Sequence, residues 1–323
     1  MKLQNRPRYA ARLNAFKRAG HGSDTSTLLA LAASVDGLSA ADLNFPDQVS
    51  LETADDVKAA LDTHSIHLNG LAMRYYGDDA LAIGAFTNPD PAVRQAAIDL
   101  TKRGLDCAAR MGAEQMTLWM GQDGFDYAFQ IDYARAWDDT IDAMAQVADH
   151  NPEIDVAIEY KPNEPRAYSL MPDVGTTLLA TKDLNRPNIG VTLDFAHVLY
   201  ADEMPAHAAT LIARHSRLMG VHLNDGYGKR DDGLMVGSVH PVATVELFVT
   251  LSRIGYDRVI YFDTFPDHSG LDPVEEARTN VRLVERLRAV ALDVAEDPAL
   301  AQAMSKQDAA TSQRIIAAAL FGA

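Results

Sequence analysis

The sequence contains a single cysteine, Cys107, among 323 residues. One cysteine excludes a disulfide framework within the chain and any metal site built from several thiolates. It fits a reducing compartment, and we expect a cytoplasmic protein. No window approaches 18 consecutive apolar residues, so we expect no membrane span. Residues 1–6 are polar and lack the apolar core of a signal peptide.

Positive charge is also scarce, since 29 Lys and Arg stand against 45 Asp and Glu, for a net charge of −16. Nucleic acids and anionic membranes attract positively charged surfaces, so we expect neither as a partner. Hydrophobic residues make up 47% and charged residues 23% of the chain, close to the composition of globular proteins. No low-complexity segment, internal repeat or linker divides the sequence.

Strand-like and helix-like patterns alternate along the chain in roughly eight units, which suit a (β/α)8 TIM barrel with active-site residues at the carboxyl ends of its strands. A doubly wound open sheet is the alternative, but no glycine-rich phosphate loop follows the first predicted strand at residues 12–16. We predict a barrel domain over residues 1–293 and a C-terminal helical tail over residues 294–323.

Four consecutive predicted strands, the fifth to the eighth, each end in a carboxylate or a histidine. The carboxyl ends of barrel strands meet at one face, so these side chains should converge. Three carboxylates and one imidazole suit a hard or borderline divalent ion, namely Mg²⁺, Mn²⁺, Co²⁺ or Zn²⁺. Without a cation the carboxylates would repel one another. The four residues are Glu159, Asp194, His222 and Asp263.

Each of these residues also has an ordinary structural interpretation. Asp194 could cap a helix, and His222 could be a hydrogen-bonded core histidine. Glu159 lies two residues before Lys161, so both side chains point to the same side of the strand and could form a surface ion pair. The metal hypothesis therefore depends on all four strand ends together and not on any one residue.

A second group lies close by in the sequence. His197 follows Asp194 by three residues, and Asp231 lies in the loop after the seventh predicted strand. These two could form a second metal site, although loop aspartates are usually solvated turn formers. Trp119, at the end of the fourth strand, could stack on a ligand or belong to the core.

Several motifs resemble those of xylose isomerases. Residues 159–166, EYKPNEPR, resemble the E-x-K-P-N-E-P-R signature of that family, and residues 118–124 are similar to its L-W-G-G-R-E-G. Residues 222–234 resemble its D-L-N motif and the aspartate-rich loop that follows. Asp194 and His222 stand where xylose isomerases have glutamate and aspartate. The ligand set is therefore more similar to that of the L-rhamnose isomerase branch of the superfamily.

This resemblance implies aldose–ketose isomerisation of a small sugar with one or two divalent metals per subunit, Mn²⁺ being the first expectation. It also implies a homodimer or a homotetramer. Lys161 would contact the substrate carbonyl oxygen, and Trp119 would line the sugar. The four strand-end residues would hold a structural metal. Asp194, His197 and Asp231 would reach a catalytic metal, with Lys161, His197 and Asp231 forming the catalytic group.

The sequence departs from this family in one further respect. No histidine lies near the end of the second or third predicted strand, where the family has one that helps to open the sugar ring. Arg74 and Tyr76 occupy that region, and His67 falls at the start of its strand. A ketose 3-epimerase on the same barrel is the main alternative. A metal-dependent endonuclease and a non-catalytic sugar-binding barrel are more distant ones.

Overall fold

A computed structural model describes residues 7–20 and 22–322. Eight parallel strands close into a barrel, and neighbours along the chain are neighbours in the sheet. The predicted TIM barrel is confirmed. The strands are β1 (Tyr9–Ala11), β2 (Leu38–Phe45), β3 (His67–Met73), β4 (Gln115–Trp119), β5 (Asp155–Glu159), β6 (Ile189–Asp194), β7 (Leu218–Leu223) and β8 (Ile260–Phe262).

Helices surround the barrel and cover the outer face of its sheet. Aspartate caps begin many of them, as Asp90 does for the helix that starts at Pro91, because a carboxylate accepts the unpaired N–H groups of a first turn. No helix in the described ranges is long and apolar enough to cross a membrane. The main helices are α1 (Thr25–Ala33), α2 (Ala54–Thr63), α3 (Pro91–Met111), α4 (Tyr133–His150), α5 (Val174–Leu184), α6 (Pro205–His215), α7 (Pro241–Ile254), α8 (Pro273–Ala295), α9 (Pro298–Ser305) and α10 (Ala309–Phe321).

The first strand is not where the sequence pattern placed it. The prediction at residues 12–16 is wrong, since β1 ends at Ala11 and a 3-10 helix spans Leu13–Ala19. A strand of three residues is too short to show an alternating pattern, and buried apolar residues of the 3-10 helix supplied the misleading one. Residues 1–6, which we expected to contain no signal peptide, lie outside the described part of the chain.

Among the described residues, the buried apolar side chains form one large cluster and a small second one of Ala10, Ala40, Val259 and Tyr261. Strand β6 is buried along its whole length, as is usual for a parallel strand covered on both faces. A small antiparallel ribbon, Gly124–Phe125 with Tyr168–Ser169, lies beyond the ends of β4 and β5. In the tail, Ile315, Ile316 and Leu320 of α10 pack on the core as partly buried residues.

Candidate active site

A cavity of about 540 Å³ opens at the carboxyl end of the barrel strands. Its size is in the range of ordinary small-molecule sites. Side chains that end or follow the strands line it, as the barrel topology requires. Among them are Trp119, Glu159, Lys161, His222 and Asp263.

Glu159, Asp194, His222 and Asp263 converge at this face. One potential ligand atom from each lies within 4.8 Å of all the others. The strand register explains the convergence, because Asp194 pairs with His222 across β6 and β7, and Asp263 follows the end of β8. Glu159, Asp194 and His222 are buried, whereas Asp263 is partly exposed to the cavity.

Asp194 also caps a helix, so that ordinary interpretation of this residue holds beside the clustering. Its Oδ1 accepts a hydrogen bond from the backbone N–H of His197 at 3.0 Å, at the start of the short helix Phe195–Tyr200. The Nδ2 group of Asn224 donates to Asp194 at 3.1 and 3.2 Å and to the carbonyl oxygen of Asp263 at 3.1 Å. Asn224 thereby fixes the carboxylate of Asp194 relative to the end of β8.

The charges of the cluster are strongly coupled. Burial opposes ionisation of Glu159, but the charge and hydrogen bond of His222, with the charge of His197, lower the pKa of Glu159 to about 2. Burial lowers the pKa of His222, but Glu159 outweighs it and raises that pKa to about 10. Burial and neighbouring carboxylates raise the pKa of Asp194 to about 7. Three carboxylates this close together favour a positive charge between them.

His197, Asp231 and Lys161 form a second group beside the first. Nδ1 of His197 donates to the carbonyl oxygen of Tyr160 at 3.0 Å, because a carbonyl oxygen only accepts. Its Nε2 lies 3.1 Å from Oδ2 of Asp231, and Nζ of Lys161 donates to the same oxygen at 3.1 Å. The loop aspartate is thus drawn into the barrel and is largely buried.

Two features of this group fit a cation. Oδ1 of Asp231 is buried and accepts no hydrogen bond from any described residue. A buried carboxylate oxygen without a partner is costly, and a metal ion would satisfy it. With Nδ1 committed to Tyr160, Nε2 of a neutral His197 has a free lone pair that could bind a metal. The donor sets of both groups therefore fit the divalent ions expected from the sequence.

Asp232 lies outside the site. Its carboxylate accepts from the backbone N–H of Tyr227 at 2.8 Å and pairs with the exposed Arg230. It stabilises the turn of its own loop, which is the usual task of a loop aspartate.

Trp119 lines the cavity, as the stacking interpretation required. Nζ of Lys161 lies 5.2 Å from the centre of its ring, and Tyr76 contacts it edge-on at 5.9 Å between ring centroids. Arg74 lies over Tyr76 at 5.4 Å. His67 begins β3 and does not line the cavity, in agreement with its predicted position.

Sequence reasoning overlooked Asp42 and Arg12. Asp42 lies within β2, accepts from Asn69 at 2.8 Å, and lines the cavity. Burial raises its pKa to about 6, with the charge of His222 opposing the shift. A carboxylate inside an otherwise apolar predicted strand was the available signal. Arg12 pairs with Asp263 at 3.8 Å and Asp267 at 3.1 Å; its misassignment to a strand hid it.

Comparisons with known proteins agree with this architecture. A xylose isomerase of Thermus thermophilus is 32% identical over 212 residues, which are 64% of this chain and 55% of that enzyme. The chain thus spans little more than half the length of this curated relative.

Solved structures share the fold at lower identity. An L-ribulose 3-epimerase matches 90% of this chain and 97% of its own, with a TM-score of 0.69 and 15% identity. The IOLI protein, solved with a bound zinc atom, matches 88% of this chain and 98% of its own, with a TM-score of 0.66 and 16% identity.

The family model described as xylose isomerase-like TIM barrel matches residues 29–287, which include every barrel strand except β1 and every site residue predicted from the sequence. The resemblance read from the motifs at residues 118–263 is thereby confirmed at the level of the superfamily. The chain belongs to the xylose isomerase-like TIM barrel family.

Proposed function

We propose that the protein is a metal-dependent aldose–ketose isomerase acting on a small sugar. The observation that carries the proposal is the convergence of Glu159, Asp194, His222 and Asp263 within 4.8 Å. Lys161 lies beside them, with Trp119 along the wall of the same cavity. The 32% identity to a xylose isomerase supports the same reaction class.

The four clustered residues would hold one divalent ion, and Asp194, His197 and Asp231 would reach a second. We expect Mn²⁺ first, with Mg²⁺, Co²⁺ and Zn²⁺ as alternatives, because carboxylates and imidazoles accept all four. Such ions polarise a carbonyl group and stabilise negative charge on its oxygen when they are bound. Asn224 holds the carboxylate of Asp194 in position for this role.

Lys161 would donate a hydrogen bond to the substrate carbonyl oxygen. Burial lowers its pKa, but the charges of Asp231 and Glu164 and their hydrogen bonds raise it overall, so Lys161 stays charged at neutral pH. Negative charge develops on the oxygen as hydrogen moves between C1 and C2. A fixed ammonium group in a buried site stabilises that charge more than water does.

His197 and Asp231 would complete the catalytic group. The hydrogen bond from Nδ1 to Tyr160 fixes the orientation of the imidazole ring. Asp231 holds Lys161 and His197 on one oxygen, 3.1 Å from each, and so keeps both within the cavity. The hydroxyl proton that must shift during isomerisation could then pass to a carboxylate in the same group.

The direct test is a screen of four- to six-carbon aldoses and ketoses with Mn²⁺, Co²⁺ and Mg²⁺, with products separated by chromatography. We expect an aldose to give its 2-ketose, and activity to disappear with a chelator and return with metal. Conversion that persists after complete removal of metal would refute the metal-dependent mechanism.

A ketose 3-epimerase is the second candidate, because Glu159 and Asp263 both line the cavity and could face a substrate carbon from two sides. Asp263 pairs with Arg12 and has a shorter side chain than glutamate, which favours the isomerase. Incubation with a ketose decides between them. An aldose as product supports the isomerase, and a C3 epimer supports the alternative.

We also propose a homodimer or homotetramer in a reducing, cytoplasmic setting. The lone Cys107 is buried, and burial raises the pKa of its thiol to about 11, so the structure requires no oxidising compartment. Light scattering coupled to gel filtration measures the assembly, and a monomeric mass at working concentration would contradict this part of the proposal.

A further inference from the structure

Arg74 differs from the other permanent cations of the cavity. Arg12 pairs with Asp263 and Asp267, and Lys161 pairs with Asp231 and Glu164. Arg74 also lines the cavity, but it makes no ion pair with any residue of the described ranges. A partly buried guanidinium without a counter-charge loses hydration and regains little, so its position calls for an explanation.

The guanidinium of Arg74 is held in place by one hydrogen bond and by one contact with an aromatic ring. Its Nε donates to Oδ1 of Asn44 at 2.8 Å, and its plane lies over Tyr76. The backbone N–H of Asn44 in turn donates to Oε1 of Gln48 at 2.8 Å. The two terminal nitrogens of Arg74 make no hydrogen bond to a described residue, so their donors remain available to a ligand.

The barrel topology places Arg74 across the cavity from the candidate metal ligands. Arg74 directly follows β3, and in a ring of eight strands β3 lies opposite β7, whose end carries His222. A sugar whose carbonyl group lies beside Lys161 and the cluster would extend its far end toward β3. On that side Arg74 lies over Tyr76, which in turn contacts Trp119.

From this arrangement we propose that the substrate carries an anionic group, a carboxylate or a phosphate, at the end remote from its carbonyl, and that Arg74 binds it. The inference rests on the proposed isomerase function and names its substrate class, a sugar acid or a sugar phosphate. A guanidinium presents paired donors that match both kinds of anion, and hydrogen bonds between ions are stronger than those to neutral hydroxyls.

The carboxylates of the cavity do not oppose this assignment. Glu164 is paired with Lys161, at 2.9 Å between Oε2 and Nζ. Asp42 lies within β2 and accepts from Asn69, below the level of the strand ends. Asp231 is shared by Lys161 and His197. Glu159 pairs with His222, and Asp263 pairs with Arg12. Each carboxylate that lines the cavity thus has a cationic or amide partner, whereas Arg74 has no anionic partner among the described residues.

The first experiment compares matched substrates on the metal-loaded protein. A neutral aldohexose, its uronate and its 6-phosphate are assayed under identical conditions for kcat/KM. We expect one anionic member to exceed the neutral sugar by about tenfold to a hundredfold, the range of a charge-assisted hydrogen bond. The uronate and phosphate arms show which anion the site accepts. Equal or better turnover of the neutral sugar would overturn the inference and leave the isomerase function intact.

Variants locate the effect at Arg74. Arg74→Met should reduce the ratio of kcat/KM for the anionic sugar to that for the neutral sugar to about one, mainly by raising KM for the anionic sugar. Arg74→Lys should restore part of this ratio because the positive charge returns. Arg253→Met, an exposed position on α7, removes the same charge elsewhere and should leave the preference unchanged. Persistence of the preference in Arg74→Met would contradict the assignment.

Equilibrium binding separates this inference from the proposed function. Calorimetry with an aldonate, an alditol phosphate and the neutral alditol requires no turnover. Tighter binding of an anion that is lost in Arg74→Met supports the inference even if no sugar is isomerised. Equal affinity for all three ligands refutes it, whatever the outcome of the isomerase assay.

Discussion

At the scale of single residues, Lys161 and Asn224 have distinct tasks. Lys161 is buried yet remains charged because Asp231 and Glu164 are close to its ammonium group. Asn224 is fully buried, and its Nδ2 group donates hydrogen bonds to the carboxylate of Asp194 and to the carbonyl oxygen of Asp263 at the end of β8. One side chain would act on the substrate and the other on the geometry of the metal ligands.

Lys161→Met should separate chemistry from binding. The variant keeps an unbranched apolar stem of nearly the same length but removes the hydrogen-bond donor that would face the developing charge. Loss of one such donor typically lowers kcat about a hundredfold to a thousandfold. Steady-state kinetics and sugar binding by calorimetry measure the two effects, with the exposed Lys182→Met as the control. Unchanged turnover would remove Lys161 from the catalytic group.

Asn224→Ala should weaken metal binding without unfolding the barrel. Residues that orient ligating carboxylates commonly contribute about tenfold to a hundredfold to metal affinity. Isothermal titration with Mn²⁺ measures the change, and circular dichroism of the metal-free variant checks the fold. Asn151→Ala, at the end of α4 and outside the cavity, is the matched control. An Asn224 variant that binds metal as the parent does would contradict this role.

At the scale of elements, the segment after β5 is held by its neighbours on both sides. It folds back so that the N–H of Ser169 donates to the carbonyl oxygen of Pro162 at 3.0 Å. Its far end joins the ribbon with Gly124–Phe125. The ribbon thereby supports the loop that carries Glu164, a partner of Lys161.

Gly124→Ala should open this ribbon. An added Cβ would lie 2.0 Å from the carbonyl oxygen of Tyr168, a backbone atom that cannot rotate away. Overpacking of this kind typically costs about 1–3 kcal/mol. We expect a lower free energy of unfolding in urea and a reduced kcat/KM.

Gly77→Ala is the control for this change, because nothing lies within 4 Å of the position of its Cβ. The control should unfold at the same urea concentration as the parent protein. If Gly124→Ala did so as well, the ribbon would not be under the steric constraint described.

At the scale of the whole molecule, the barrel gathers acidic groups that come from distant parts of the chain. Glu159 and Asp263 are more than a hundred residues apart, yet each supplies a ligand atom to one cluster. Burial raises the pKa of Asp263, as does the neighbouring charge of Glu159. A divalent ion at this point would relieve that repulsion and should stabilise the fold.

Metal should therefore raise the thermal midpoint of unfolding. An ion present at a hundred times its Kd stabilises the folded state by about 2.7 kcal/mol. Scanning calorimetry with Mn²⁺ and with a chelator measures the shift. The shift should shrink as the pH falls, because the histidine ligands must be neutral to bind metal.

Glu159→Gln is the variant that checks this prediction. It removes one carboxylate of the cluster and should abolish most of the metal-dependent shift in the thermal midpoint. An equal shift in the variant and in the parent would mean that the ion binds elsewhere.

The strand ends could be predicted because they depend on the types of residues that are neighbours in the sequence. An apolar run followed by Glu159 or Asp194 indicates a strand that ends in a carboxylate, and the alternation with helices implies that such ends meet. The family was recognisable for the same reason, since residues 159–166 form one continuous motif.

Sequence alone thus determined the barrel, its family and the side chains at the ends of β5 to β8. Only the tertiary structure decided which charges face one another. It placed Asp231 against His197, turned Asp232 outward, put Asp42 inside the barrel and left Arg74 without an anionic partner among the described residues. Pairing of this kind depends on distances between segments far apart in the chain, and periodicity within one segment contains no information about them.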